Sequence, residues 1–428
     1  MLQPPSCAGT ACAHAFGPDD LPAHVRAHLA RAATEGPVSG YVYDLDTATA
    51  TARQLRAALP GWARLLFALK SNGFPAVADA LAAPGGVEGF EVASAAEARL
   101  ARSVLPRGLL AAAGPGKHPA LLADLVEAGV DVIHAESVPE LRRLSRLAVE
   151  TGARIAVGVR VNPASVAVSG TLAMGGRSSA FGIAEPEIEE ALALAAGLPG
   201  LDLVGFHVHA VSGNRDARAH AAYVDWALRW SADTARRTGL DLRWIDVGGG
   251  LGVSYDGRGP LDLAVLATEL DALRPPAGVE VVFEPGRRLA ADCGWYAAEV
   301  VDVKSSYGET WAVLRGGIGG FALPGTEDFP IPVAVLPVDE WREPGPRPEA
   351  TGTAVHVAGE LCTPEDVLAR DVQVDRIRAG DLVVVPNAGA YGWEFALHSF
   401  LGHPPPTRTA LASGSSVPVR PVSVEVSP

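Results

Sequence analysis

A lysine and three consecutive glycines lie where a chain could hold a phosphate-bearing aldehyde. Lys70 ends the apolar run FALK and is followed by a turn and an apparent helix. A lysine in a partly desolvated pocket has a lowered pKa and is nucleophilic toward aldehydes. The segment DVGGGLG places Gly248, Gly249 and Gly250 at the end of another apolar run. Without side chains, their backbone N–H groups could approach a phosphate closely, although a tight turn without a ligand fits the same residues.

The segment EPGRR, at the end of the last apolar run, adds Gly286 and the cation Arg287 to this phosphate chemistry. A phosphate-bearing aldehyde that forms a Schiff base with a lysine such as Lys70 is pyridoxal phosphate, which we therefore predict as cofactor. Glu284, in the same segment, would keep the pyridine nitrogen protonated and make the ring a strong electron sink. This arrangement favours decarboxylation, whereas a cation at that position would favour a milder proton shift, as in racemisation.

The segment GFHVHAVSGN carries His207 and His209 on one face of a strand. We predict that His209 stacks on the cofactor ring and that Ser212 donates to the phosphate. His207 and His209 could instead be a metal pair, but we see no third histidine or carboxylate spaced to complete the site. We therefore predict no metal, and His207 also fits a core histidine.

Eight apolar runs that end in a polar or glycine residue position these side chains. They alternate with alanine- and leucine-rich stretches of helical spacing, a pattern typical of parallel strands covered on both faces. Eight such units predict a closed (β/α)8 barrel, whose chemistry gathers at the C-terminal ends of the strands. Arg160 ends the fifth run and joins the candidate cofactor residues. The runs are ARLLFALK, EGFEVAS, GLLAAAG, VDVIHAES, RIAVGVR, LVGFHVHA, RWIDVGGG and VEVVFEPGR.

The segments on either side of the barrel pattern differ from it in their spacing of apolar, glycine and proline residues. The segment GYVYDLD, residues 40–46, is typical of one strand before a helix. After about residue 290, short apolar runs are separated by glycine, proline and acidic residues, which indicates a mainly β domain. We predict a barrel domain over 38–290 and a β-rich domain over 1–37 and 291–428. Its tail after about Pro404 should be loosely held.

The composition restricts the class of protein. The net charge of −14 over 428 residues disfavours a nucleic-acid partner, and we find no membrane span or secretory signal. Four scattered cysteines do not form a disulfide framework, so we expect a reducing cytoplasm. Cys7 and Cys12 could suggest a metal pair, but no second ligand pair lies nearby.

Several of these motifs, in order over residues 38–404, resemble the fold-type III pyridoxal-phosphate decarboxylases, the group of diaminopimelate, ornithine and arginine decarboxylases with an alanine-racemase-like barrel. The resemblance lies in FALKSN, GFHVHAVSGN, DVGGGLG, EPGRRL, GELCTPEDVLARD and NAGAYGWEF.

The resemblance implies roles for the matching residues. Lys70 would form the Schiff base, Glu284 would face the ring nitrogen, and His209 would stack on the ring. Cys362, which on its own would pass for a small buried thiol, would come from a second subunit and reprotonate Cα after CO2 leaves. The family forms head-to-tail homodimers with shared active sites. The phosphate would be surrounded by Ser212, Gly249, Gly250, Gly286, Arg287 and Tyr391.

Departures from the family pattern bear on the substrate. Members that act on diamino acids carry an acid directly after the cysteine, where this chain has Thr363. Ornithine-type members carry a second acid where this chain has Arg315, in VLRGGIGGF. An arginine fork suits carboxylates, so we infer a neutral or anionic distal end, although Arg315 could instead serve a structural ion pair. Ala180 and Val211 also depart from the pattern, with effects that we leave open.

The segments CTP and RGG resemble the branch that acts in carboxylate siderophore biosynthesis on substrates such as citryl-diaminopropionate. We therefore predict a decarboxylase of a citrylated or otherwise acylated diamino acid. The alternative within the same chemistry is a decarboxylase of free diaminopimelate, ornithine or arginine. A racemase and a non-enzymatic pyridoxal-phosphate-binding protein are the other classes. Glu284 and the Cys362 loop argue against the racemase, and the β domain with Cys362 and Tyr391 argues against the binding protein.

Overall fold

The computed structural model describes residues 16–166, 168–170, 172–173, 175–255, 259–324 and 331–413. The first elements precede the barrel. The carboxylate of Asp44 accepts the backbone N–H groups of Asp46 and Thr47 and so begins the second helix directly after the first strand. These elements are α1 (Ala23–Glu35), β1 (Ser39–Asp44) and α2 (Leu45–Ala58).

The eight apolar runs form a closed parallel barrel, which confirms the predicted fold class. Going round the barrel, the order is β5, β4, β3, β2, β12, β11, β9 and β6, and β6 closes the ring by pairing with β5. The short strand β8 adds to the end of β6. The strands of this region are β2 (Ala63–Ala68), β3 (Gly89–Val92), β4 (Leu109–Ala112), β5 (Val132–Ala135), β6 (Ile155–Asn162), β7 (Leu172–Ala173), β8 (Ile183–Ala184), β9 (Leu201–Val208), β10 (Val211–Ser212), β11 (Trp244–Asp246) and β12 (Glu280–Phe283).

Side-chain caps fix the positions at which several outer helices begin. Ser94 and Ser137 follow strand ends, and their hydroxyls accept the N–H groups of Glu97 and Glu140. Because each cap directly follows a strand, it also fixes the loop at the mouth of the barrel. The helices are α3 (Pro75–Leu81), α4 (Ala95–Val104), α5 (Pro119–Glu127), α6 (Val138–Thr151), α7 (Ile188–Ala196), α8 (Ala217–Thr238), α9 (Leu263–Asp271) and α10 (Arg287–Ala290).

A second, mixed sheet follows the barrel, as the change of texture predicts. Its order is β15, β18, β13, β14, β16 and β17, with β1 antiparallel to β13 and parallel to β19. The strands are β13 (Gly294–Ser306), β14 (Glu309–Leu314), β15 (Ala334–Leu336), β16 (Glu349–Ala358), β17 (Val367–Arg378), β18 (Leu382–Val385) and β19 (Thr407–Leu411).

The structure corrects two expectations about the flanking segments. The strand β1 was assigned to the barrel domain at 38–290, but its hydrogen bonds place it in the second sheet. Residues 407–411 were expected in a loose tail, but they form β19 against β1. Residues 414–428 and the pair Cys7 and Cys12 lie outside the described residues. None of the described helices has the length and apolar character needed to cross a membrane.

Candidate active site

Lys70 lies in a 3-10 turn, Leu69–Ser71, that directly follows β2. The Ser71 hydroxyl donates to the carbonyl of Ala68 at 2.8 Å, and the Asn72 amide donates to the carbonyl of Gly389 at 2.7 Å. These bonds fix the turn to the strand before it and to the second domain. Lys70 lines a cavity of about 280 Å³ at the mouth of the barrel.

Glu91 is the ion-pair partner of Lys70. Its Oε2 lies 2.7 Å from Lys70 Nζ, and its side chain is fully buried at the end of β3. Burial alone would lower the pKa of Lys70, but the carboxylates of Glu91 and Glu284 together raise it above its ordinary value. The two carboxylates thus outweigh burial, which on its own would give the lowered pKa expected from the sequence.

Glu284 and His209 line the same cavity. Glu284 Oε2 is buried and accepts no N–H or hydroxyl hydrogen bond from a described residue, and the Asp246 carboxyl lies within hydrogen-bond reach of the Glu284 side chain. His209 Nδ1 accepts the N–H of Gly249 at 3.2 Å. Burial lowers the pKa of His209 to about 3, so its ring is a neutral, flat surface.

The glycines at the strand ends also allow neighbouring loops to pack closely, a role not predicted from the sequence. A Cβ on Gly249 would lie 2.6 Å from the carbonyl oxygen of Glu284, and one on Gly286 would lie 2.8 Å from the side chain of Ser71. Gly250 has a φ of +79°, a conformation that favours glycine. Removing these side chains lets the loops after β11 and β12 pack against each other and against the Lys70 turn.

Arg287 and Tyr391 form one edge of the cavity. Arg287 Nη1 donates to the hydroxyl of Tyr255 at 3.0 Å, and its guanidinium lies 4.8 Å from the centre of the Tyr391 ring. Tyr391 has a φ of 65°, unusual for a residue with a side chain, and its N–H donates to the carbonyl of Ser71 at 2.6 Å. The backbone of Tyr391 is thus tied to the Lys70 turn, and Ser212 lines the same cavity from β10.

Arg160 reaches the cavity from β6 and is held by a buried carboxylate. Its Nη1 lies 2.7 Å from Glu136 Oε1, and its guanidinium lies 4.8 Å from the centre of the Phe181 ring. Behind this pair, Lys117 Nζ lies 2.9 Å from Glu140 Oε1, with both side chains buried. A chain of two cations and two carboxylates therefore fixes this wall.

Cys362, Thr363 and Arg315 do not line the cavity of the same chain. Cys362 is exposed rather than buried, and the Thr363 N–H donates to the carbonyl of Leu361 at 2.9 Å. Arg315 Nε donates to Glu299 Oε2 at 3.0 Å, which is the structural ion pair left open in the sequence analysis. These three residues lie apart from the other candidate site residues within one chain.

Glu91, Phe181 and Phe395 also line the cavity, although they are not among the site residues predicted from the sequence. A signal for Glu91 is present, because it lies near the end of the apolar run that follows the Lys70 run. Parallel pairing sets Ala68 opposite Glu91 and so brings Glu91 beside the Lys70 turn. Phe181 and Phe395 lie in loops and left no periodic signal.

The fold also places two possible metal ligands beside His207. His134 and Asp246 come close to His207 in the barrel interior, so that a possible ligand atom of each lies within 4.8 Å of the others. His209 is not part of this group, so the group is a different one from the His207 and His209 pair considered from the sequence.

The cavity fits pyridoxal phosphate in its donor chemistry. It presents a primary amine, a buried carboxylate oxygen that accepts no N–H or hydroxyl hydrogen bond from a described residue, and a buried arginine whose Nε lacks a partner among the same residues. These groups suit an aldehyde, a protonated ring nitrogen and a phosphate, respectively.

Residues 45–291 match the family model described as "Pyridoxal-dependent decarboxylase, pyridoxal binding domain". The chain is 33% identical over 374 residues to the 2-[(L-alanin-3-ylcarbamoyl)methyl]-2-hydroxybutanedioate decarboxylase of Staphylococcus aureus, covering 86% of this chain and 93% of that one. It is 32% identical over 387 residues to the L-glutamyl-[BtrI acyl-carrier protein] decarboxylase of Niallia circulans, covering 88% and 89%. Among solved structures, the diaminopimelate decarboxylase of Helicobacter pylori complexed with L-lysine has a TM-score of 0.75 at 22% identity, covering 89% and 93%.

Proposed function

Because this chain belongs to the pyridoxal-dependent decarboxylases, we propose that it decarboxylates an amino acid whose distal end is neutral or anionic, namely a citrylated diamino acid of siderophore biosynthesis. The observation that carries the proposal is the pair Arg315 and Thr363. By the family resemblance, Thr363 stands where members that act on diamino acids carry an acid, and Arg315 stands where ornithine-type members carry a second one. A cationic distal end would meet an arginine and a neutral hydroxyl in place of two carboxylates.

The two curated relatives described above support this choice of substrate. The substrate named for the staphylococcal enzyme is citrate joined by an amide to the side-chain amine of diaminopropionate. The substrate named for the Niallia enzyme is a glutamyl group on a carrier protein. Neither molecule has a free amine at its distal end. Diaminopimelate decarboxylases match less closely, for example at 26% identity over 383 residues for the Aquifex aeolicus enzyme.

The site residues take the following roles in the proposal. Pyridoxal phosphate, when bound, supplies an electron sink for the electron pair left at Cα as CO2 departs. Lys70 binds its aldehyde carbon, Glu284 accepts the N–H of the ring nitrogen, and His209 covers one ring face.

Charged and small residues hold the cofactor in place. Arg160 would add a positive charge on the wall of the cavity. The phosphate would be held by Ser212, Gly249, Gly250, Gly286, Arg287 and Tyr391.

A second copy of the chain completes the site in this proposal. Cys362 is an exposed thiol outside the cavity of its own chain, so it would deliver a proton to Cα in the partner's cavity. Phe395 lines the cavity and is 57% exposed, and Leu397 and Leu401 beside it are also exposed. An apolar rim around a cavity favours coverage by another protein surface. A head-to-tail homodimer would bring the Cys362 loop and the Arg315 loop to that rim.

The same proposal places the enzyme in the cytoplasm. Cys293 and Cys362, the two cysteines among the described residues, are free thiols, as expected in a reducing compartment. The enzyme's partner is a small molecule derived from an amino acid. The net charge of −14 disfavours a nucleic-acid partner.

A substrate survey tests the proposal. CO2 release is measured with citryl-diaminopropionate, diaminopimelate, ornithine and arginine under the same conditions. We expect turnover of the citryl compound and little of the others. Rapid turnover of free ornithine or diaminopimelate, with none of the citryl compound, would refute the substrate assignment. Lys70→Ala should lose the visible absorbance band of lysine-bound cofactor.

Arg315 is tested with a matched surface variant. Arg315→Gln should raise the KM for the citryl compound, whereas Arg376→Gln, which removes an exposed arginine paired with Glu349, should not. An unchanged KM in Arg315→Gln would leave Arg315 as a partner of Glu299 only. Cys362→Ala should retain CO2 release but misdirect the proton at Cα, and an unchanged product would remove Cys362 from the chemistry.

A further inference from the structure

A group of polar side chains fills the barrel interior beneath the cavity, in a position where barrels of this type usually pack aliphatic layers. The side chains come from four parts of the barrel wall, two of them from the same strand. All are almost completely buried, with 4% exposure or less. The group consists of His134 on β5, His207 on β9, Trp244 and Asp246 on β11, and Glu284 after β12.

His134 is held firmly in this interior. The Trp244 indole N–H donates to His134 Nε2 at 3.1 Å, and the His134 and His207 rings lie 4.3 Å apart between centres. Gly158 on β6 is opposite His134 in the parallel register, and a Cβ there would lie 2.8 Å from His134 Cδ2. The glycine thus provides the space that the imidazole occupies, and His134 forms a fixed wall behind His207.

His207 lies between that wall and Glu284. Its Nε2 is 3.3 Å from Glu284 Oε1, although its N–H is not aligned for a hydrogen bond, and the other oxygen, Oε2, accepts no N–H or hydroxyl hydrogen bond from a described residue. Polar contacts of this kind are often long before a ligand binds and shorten in the complex. Burial lowers the pKa of both His134 and His207, so His207 is a neutral ring with one N–H.

We propose that His207, backed by His134, is a positioning residue for Glu284: it donates its N–H to Oε1 and so turns Oε2 toward the ring nitrogen of the cofactor. The inference rests on the role of Glu284 in the proposed function. A neutral donor orients the carboxylate without adding a positive charge that would compete with the protonated ring nitrogen for it.

The same atoms do not favour a metal site. Trp244 directs its N–H at His134 Nε2, which occupies the lone pair that would face a metal. Asp246 is fully buried, and its pKa is raised well above the ordinary value by burial and by Glu284, with which it shares a side-chain hydrogen bond. Its carboxyl therefore tends to hold a proton, directed at Glu284, rather than a cation. Metal ligands are deprotonated when they bind.

A double-mutant cycle with Glu284 tests the inference. His207→Leu removes the N–H, and His207→Gln keeps an N–H donor at a similar reach. Loss of one buried hydrogen bond should lower kcat about tenfold in His207→Leu, with little change in KM and partial recovery in His207→Gln. The affinity of the apoenzyme for pyridoxal phosphate, measured by absorbance titration, should weaken about tenfold in His207→Leu by the same reasoning.

The decisive comparison is made in a Glu284→Gln background. If His207 acts through Glu284, His207→Leu should there have little further effect on cofactor affinity or kcat. A role that is only structural would lower both by the same factor in either background, which would overturn the inference. His356→Phe, which changes a buried histidine of the second sheet, controls for general loss of packing and should leave both quantities unchanged.

Failure of the inference and failure of the proposed function give different results. If Glu284→Gln itself retains full kcat, the assignment of Glu284 to the ring nitrogen is wrong. If Glu284→Gln loses activity but His207→Leu loses neither activity nor cofactor affinity, only the role of His207 is wrong. One equivalent of a metal ion in the purified holoenzyme, lost in His207→Leu, would also overturn the inference.

Discussion

Glu394 should make the free energy of unfolding fall as the pH rises through neutrality. Its Oε1 accepts the N–H of Gly73, three residues after Lys70, at 3.0 Å. Burial raises the pKa of Glu394 from 4.5 to about 7, against the lowering effects of the Gly73 hydrogen bond and of Arg408. The folded protein therefore binds the Glu394 proton more tightly than the unfolded chain does.

The sign and size of the effect follow from proton linkage. The contribution of Glu394 to stability is complete below the unfolded pKa of 4.5 and is lost as the pH rises through the folded pKa of about 7. A shift of this size corresponds to about 3 kcal/mol in total, of which about 2 to 3 kcal/mol falls between pH 5 and pH 8.

Denaturant unfolding of the wild type and of Glu394→Gln at about pH 5 and pH 8 measures this contribution. Glutamine keeps an oxygen for Gly73 but does not titrate, so its stability relative to wild type should improve by about 2 to 3 kcal/mol from the lower to the higher pH. Glu127→Gln removes an exposed carboxylate at the end of α5, and its effect should be the same at both pH values. A difference between wild type and Glu394→Gln that does not change with pH would refute the reasoning.

Three further substitutions test other parts of the structure. Gly286→Ala should weaken cofactor binding and lower the free energy of unfolding by about 1–3 kcal/mol, because its Cβ would press on the Lys70 turn; the open Gly61→Ala should leave both unchanged. Lys117→Met should cost about 3–5 kcal/mol in denaturant unfolding by leaving Glu140 without a counter-charge. Most of that loss should return in the double variant with Glu140→Gln, and an additive double variant would contradict the ion-pair explanation. If Cys362 delivers the proton as proposed, Asp366→Asn should increase wrongly protonated product while CO2 release continues, because the Asp366 carboxylate accepts the N–H groups of Ile318 and Leu361 and so holds the Cys362 loop. Unchanged product would separate that loop from reprotonation.

The barrel was predictable because its signal is local. Each of these strands is buried on both faces, so it is an almost continuous apolar run in the sequence. The polar or glycine residue that ends the run therefore marks the end of the strand. The segment GYVYDLD has the same apolar texture, but its partners are β13 and β19, more than 200 residues away. Membership of a sheet is set by such distant pairing, and a single sequence contains no signal for it.

A site residue was predictable where it lies directly at or after the end of a barrel strand. Lys70, Glu284 and Arg287 satisfy this condition and line one cavity. The pKa of Lys70 was not predictable in the same way, because its direction depends on a contact of 2.7 Å with Glu91 across two strands. Burial and a nearby carboxylate act on the lysine pKa in opposite directions, and only the geometry decides between them.

The two residues that the proposal assigns to substrate selection lie on loops joined by Asp366. Asp366 accepts the N–H of Ile318 at 2.7 Å through one carboxylate oxygen and the N–H of Leu361 at 2.8 Å through the other. A Cβ at Gly317 would lie 2.2 Å from the same carboxylate, so the two loops meet without room for a side chain.

The loop that carries Arg315 and the loop that carries Cys362 and Thr363 are therefore fixed to each other. A change of substrate cannot move one of them without the other. We expect an acid introduced at Thr363 alone to leave the enzyme inactive on ornithine, because the cation Arg315 would remain on the loop that is tied to it through Asp366. Selectivity for a free diamino acid should require both positions to change together, and the same joined loops set where the thiol of Cys362 stands.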